Sequence, residues 1–118
     1  MITILVVDDS AVDRRFVKGL LVKNADWRVV CVEDGAEALA FIRNDPPELV
    51  VTDLQMPNLN GLELVAAVRK EFPFVPVILM TSQGSEEIAL QALSSGAASY
   101  SPKKQLAQDL AEIGRAHV

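Results

Sequence analysis

Short runs of branched apolar residues alternate five times with longer stretches whose apolar residues recur at helical spacing. No other feature limits the fold as sharply. The runs are 2–7, 27–32, 49–54, 75–80 and 97–101. The first, Ile2-Thr3-Ile4-Leu5-Val6-Val7, is too short for a helix and suits a strand buried on both faces. Between the runs come stripes at helical spacing. Val12, Phe16, Val17, Leu20 and Leu21 form the first, and Ala36, Leu39, Ala40 and Ile42 the second. Leu62, Val65, Val68 and Phe72 form the third, and Ile88, Ala89, Leu90, Ala92 and Leu93 the fourth. Leu106, Leu110 and Ile113 mark a fifth, with Asp109 and Glu112 outside.

The punctuation agrees. Ser10 is placed to cap the first helix, with Asp13 in its first turn, where negative charge is favoured. Arg14 and Arg15 are expected on a solvated face of it. Ser85 is the expected cap of the fourth helix. Asn44-Asp45-Pro46-Pro47, Pro73 and Gly96 are helix stops. Strict alternation predicts an α/β fold with a five-stranded parallel sheet, helices on both faces and right-handed crossovers. Alternation does not fix strand order. The expectation is the flavodoxin-like, doubly wound (βα)5 order 2-1-3-4-5.

At 118 residues the chain suits one domain, 1–118, with one sizeable core. Its net charge of −5 and scattered basic residues argue against a nucleic-acid surface. No apolar run approaches the roughly 20 residues of a membrane-spanning helix. The first residues lack a basic leader and a cleavage site, and the one cysteine, Cys31, excludes a disulfide framework. A cytoplasmic location with no membrane partner is the expectation, and Cys31 reads as a small core residue.

Asp53 sits where the third run gives way to loop. In parallel sheets of this kind, chemistry gathers at the carboxyl ends of the strands. Asp8 and Asp9, Thr81, Tyr100 and Lys103 also stand at run ends, and the expectation is that all converge on Asp53. Asp8, Asp9 and Asp53 would share one rim if strands one and three are neighbours. Like charges that close repel strongly, and a hard divalent cation such as Mg²⁺ relieves the repulsion. A carboxylate beside Mg²⁺ can act as nucleophile toward a phosphoryl group, giving an aspartyl phosphate. Lys103 could supply a point positive charge there, and Thr81 a hydroxyl donor. Taken singly, these residues are equally well a capping pair, a turn former, a solvated lysine and an ordinary strand-end threonine.

Together, in order and at this spacing, they carry a resemblance. Val6-Val7-Asp8-Asp9-Ser10, Asp53-Leu54-Gln55-Met56-Pro57 with Gly61-Leu62-Glu63-Leu64, Met80-Thr81-Ser82, Gly96-Ala97-Ala98-Ser99-Tyr100 and Lys103 resemble the receiver domain of two-component response regulators over nearly the whole chain. The resemblance implies that Asp53 accepts a phosphoryl group from a phosphohistidine on a sensor histidine kinase or phosphotransfer protein. It implies Mg²⁺ held by Asp8, Asp9, Asp53 and the backbone carbonyl of Gln55. It makes Lys103 the contact to the phosphoryl oxygens and makes Thr81 and Tyr100 a switch pair that biases the surface of helix four, strand five and helix five. Gln55 and Gln83, two positions after the acceptor and the threonine, would tune dephosphorylation. The partners implied are the kinase and a downstream output domain or protein, with room for a phosphorylation-dependent dimer. Catalysis would be limited to transfer onto its own Asp53 and loss from it. One departure stands out: the family usually has proline directly after the lysine. Here Lys104 follows Lys103, and a trans bond is expected, because a non-proline cis bond costs roughly 2.5–4 kcal/mol.

Three other readings fit less well. A phosphatase with its nucleophilic Asp after strand one wants a second Asp two residues on, where this chain has Ser10 and Ala11. A flavin binder wants a Ser/Thr/Gly-rich phosphate loop after strand one. A receiver-like binding module that is not phosphorylated would not need the full acidic and lysine set.

Overall fold

The computed structural model describes residues 2–56, 58–81, 86–106 and 108–109. The expectations for Ser85, Gln83, Leu110, Glu112 and Ile113 lie outside those residues. The elements run β1 (Ile2–Val7), α1 (Ala11–Leu21), β2 (Trp27–Val32), α2 (Gly35–Asn44), β3 (Leu49–Asp53), α3 (Gly61–Glu71), β4 (Val77–Thr81), α4 (Glu86–Ser94) and β5 (Ser99–Pro102). A 3-10 turn at Lys103–Gln105 follows. All pairings are parallel, and the strand order is β2-β1-β3-β4-β5.

The alternation of side chains along each strand builds two apolar layers. Leu5, Val7, Val50, Val77 and Leu79 face one way, under Ala38 and Ile42 of α2, Leu64, Val65 and Val68 of α3, and Ala92 of α4. Ile4, Val6, Val51, Ile78 and Met80 face the other way, under Val17 and Leu21 of α1 and Leu106. The three central strands carry the fully buried positions, which explains their unbroken apolar runs. No helix of the described residues is long and apolar enough to cross a membrane.

Several local expectations shift. In α1 only Val17 and Leu21 are buried, while Val12 and Phe16 are 75% and 50% exposed. One helix packed on one sheet face needs only a narrow stripe, so the sequence stripe was read too wide. The fourth strand begins at Val77, after Pro76, and the fifth begins at Ser99. Cys31 is half-buried against the second layer, because β2 is an edge strand. Asp109 is not outside. It accepts a hydrogen bond from Ser101 Oγ at 2.6 Å and is part-buried. No cis peptide bond occurs among the described residues, and Gly96 ends α4 with φ +104.

Register places the carboxyl ends of the strands level. Val7 pairs with Thr52, Asp53 with Met80, and Thr81 with Pro102. Residues 8, 53, 81 and 103 therefore meet at one rim.

Candidate acidic site at the carboxyl rim

Asp8 follows β1 directly and is fully buried. Its N–H donates to the Val32 carbonyl at 3.2 Å, and its own carbonyl accepts from Arg14 Nη1 at 2.8 Å. Its carboxylate accepts from the Ser10 N–H at 3.0 Å and from Lys103 Nζ at 2.9 Å. A buried carboxylate needs such partners, since leaving it unpaired costs several kcal/mol. Asp9 next to it is exposed.

Asp53 closes β3. Its Oδ1 accepts from the Leu54 N–H at 2.9 Å and lies 3.8 Å from Lys103 Nζ. Burial pushes its carboxyl up to about 6, and Asp8 and Asp9 add to the rise against the pull of Lys103 and the Leu54 N–H. Carboxylate oxygens of Asp8, Asp9 and Asp53 all lie within 4.8 Å of one another.

Lys103 is buried where β5 passes into the 3-10 turn. Desolvation alone would lower its ammonium, but hydrogen bonds to Asp13 and Asp8 and the charge of Asp53 leave it raised and cationic. Its shortest contact is to Asp13 Oδ2, at 2.7 Å. Asp13 and Arg14 are the residues that sequence reasoning missed. Arg14 was expected in solvent, yet its side chain is 19% exposed and also faces Glu33 at 3.7 Å. The clue was available. A helix capped by Ser10 at the rim turns its third residue over that rim, and the Ser10 Oγ that accepts from the Asp13 N–H at 3.2 Å fixes that placement.

Asp9, Asp13, Asp53, Gln55, Thr81 and Lys103 line an open cleft of about 400 Å³, with Leu54 and Ile88 as its apolar wall. Gln55 is exposed, and Thr81 is buried at the end of β4. Tyr100 stands apart. Along β5, residues 100 and 101 face opposite layers, and the Tyr100 ring packs with the α2–α3–α4 layer. Its hydroxyl is buried with no hydrogen-bond partner among the described residues.

An all-oxygen donor set with a neighbouring amine has a definite chemical character. Three converging carboxylate oxygens suit a small hard cation better than a soft one. The amine beside them suits an added oxyanion.

Fold and cleft together define a class: a doubly wound α/β domain with a carboxylate pocket and one lysine at the carboxyl rim of its sheet. The chain belongs to the response regulator receiver domain family, whose model matches residues 4–114. It is 37% identical over 112 residues to a chemotaxis protein CheY homolog of Campylobacter jejuni, spanning 92% of this chain and 86% of that protein. The response regulator domain of Thermotoga maritima CheB is 31% identical with a TM-score of 0.86, covering 99% of this chain and 96% of that one. The Mn(2+)-bound form of response regulator Rcp1 is 27% identical with a TM-score of 0.79, covering 96% and 91%.

Proposed function

We propose that this receiver domain is a phosphorylation-driven switch with Asp53 as the acceptor. The observation that carries the reading is the meeting of Asp8, Asp9, Asp53 and Lys103 at one open rim. An Asp53 oxygen attacks the phosphorus of a phosphohistidine on a kinase or phosphotransfer protein. The P–N bond breaks, its electron pair stays on the imidazole, and that nitrogen takes a proton from water. With its carboxyl near 6, Asp53 is mostly ionised at neutral pH and can attack.

Asp8, Asp9, Asp53 and the Gln55 carbonyl would hold Mg²⁺. The metal would screen the acidic pocket and polarise the phosphoryl oxygens. That the similar Rcp1 structure is an Mn(2+)-bound form supports a divalent ion for this chain. Lys103 binds a phosphoryl oxygen as a point charge, and the Thr81 hydroxyl binds another. The product carries about −1.5 to −2 charges where one stood before. Its pull on Thr81 at the end of β4 shifts the balance of packing around Tyr100 on β5 and so biases the neighbouring α4–β5 surface. The buried Tyr100 hydroxyl, with no partner among the described residues, supports a ring with a second stable position. Output domains, a downstream protein or a second copy would read that surface in the cytoplasm. Gln55 at the cleft edge, and Gln83, tune hydrolysis.

Acetyl phosphate with Mg²⁺ tests the core of this. Intact mass should show a phosphoryl adduct on the native chain and none on Asp53→Asn. Equal adduct on the variant ends the proposal. Timed loss of the adduct from Gln55→Ala tests the tuning role, and an unchanged decay rate removes it.

A further inference from the structure

Lys103 is held by α1 more closely than by the acceptor strand. Its Nζ lies 2.7 Å from Asp13 Oδ2 and 2.9 Å from Asp8 Oδ2, but 3.8 Å from Asp53 Oδ1. The first two are charge-assisted hydrogen bonds, and the third is beyond bonding length. The Lys103 side chain is 9% exposed, so most of it is shielded from water. Asp13 differs from the other two acids that Lys103 touches. Its side chain is 40% exposed against 0% for Asp8 and 15% for Asp53, and it is not among the three carboxylates whose oxygens cluster. It sits in the first turn of α1, where the helix dipole stabilises its charge with or without the amine. Asp13 can therefore hold Lys103 and also let it go.

We propose that Asp13 is a positioning residue that keeps the Lys103 ammonium drawn toward α1 until a phosphoryl group on Asp53 pulls it across. The inference rests on the phospho-acceptor reading. It makes Asp13 a competitor of the phosphoryl oxygens for one donor. Asn at this position keeps the shape but replaces the charged acceptor with a neutral amide, which weakens the hold on the ammonium.

The test uses fluoroberyllate, a phosphoryl mimic, at saturating Mg²⁺, with affinity read by fluorine NMR. Asp13→Asn should bind the mimic about three- to tenfold tighter, a modest gain because Asp13 is part-exposed. Asp13→Ser serves as a second variant, and thermal melting checks that both fold. The Nζ resonance of Lys103 in lysine-¹⁵N protein supplies a readout without metal or mimic. In Asp13→Asn it should move from its native position toward the position seen in the mimic complex. Unchanged or weaker binding overturns the proposal. So does tighter binding with an unmoved Lys103 resonance, which would mean plain repulsion between Asp13 and the mimic. If the native chain takes up no mimic, the acceptor reading itself fails. If it does and the variants match it, only the role of Asp13 fails.

Discussion

Gly61 packs directly against the backbone carbonyl of Asp53. A Cβ at residue 61 would collide with that oxygen and stand 2.8 Å from Leu79 Cδ1 and 3.0 Å from Leu54 Cα. The Gly61 N–H also donates to the Leu54 carbonyl at 2.8 Å. The start of α3 is thus seated on the last residue of β3. Gly61→Ala should destabilise the fold by about 1–3 kcal/mol, since a backbone oxygen cannot rotate away. It should also slow adduct formation from acetyl phosphate, because Asp53 must shift. Urea unfolding and adduct kinetics check both, and native values for both would show that the backbone yields freely.

Asp53 makes the metal-free fold sensitive to pH in a stated direction. Its folded value, about 6 against an ordinary 3.8, means the native state keeps a proton that the unfolded chain has lost. Stability should therefore fall as pH rises from about 4 to about 6 and stay lower above. Allowing for part-exposure, the burden at neutral pH is about 1–2 kcal/mol. Asp53→Asn should melt higher than the native chain at pH 7 in chelator, with the gap closing below about pH 4. A variant that melts no higher at pH 7 refutes the argument.

Added Mg²⁺ should reverse that burden. At a hundredfold its dissociation constant, a ligand specific to the folded state adds about 2.7 kcal/mol. Asp9 is exposed, so Asp9→Asn should alter the metal-free melting point little, within about 0.5 kcal/mol, yet remove most of the Mg²⁺ increment. Calorimetry with and without chelator reads both quantities. An intact increment in the variant would take Asp9 out of the ligand set.

Asn60 caps α3 through a reciprocal pair of bonds. Its Oδ1 accepts from the Glu63 N–H at 2.9 Å, and its own N–H donates to Glu63 Oε1 at 3.1 Å. Asn60→Ala should cost about 1 kcal/mol in unfolding experiments. Neither Asn60 nor Glu63 lines the cleft, so adduct yield should stay native. A large loss of yield with little loss of stability would show that the cap steers the acceptor loop.

Periodicity carried the fold because each central strand is buried on both faces, which leaves an apolar run with no competing pattern. The edges were harder. β5 contains Ser99, Tyr100, Ser101 and Pro102, too mixed for its ends to be read, and its start lies at Ser99. The carboxylates were legible because they stop apolar runs, and Lys103 because of the company it keeps. Asp13 and Arg14 were hidden because they belong to a helix, where spacing reveals which residues share a face but not what lies beyond the helix end. Tyr100 was read toward the acceptor because position along a strand says which end a residue is near, while its layer depends on register with Leu79.

The bonds from Lys103 to Asp8 and Asp13 join residues 95 and 90 positions apart. The acids are translated first, and the ammonium that bonds them follows at least 90 positions later. A nascent chain thus lacks the Lys103 ammonium at this anionic rim until β5 docks on β4. Completion of the sheet and delivery of that ammonium to the rim are then a single event.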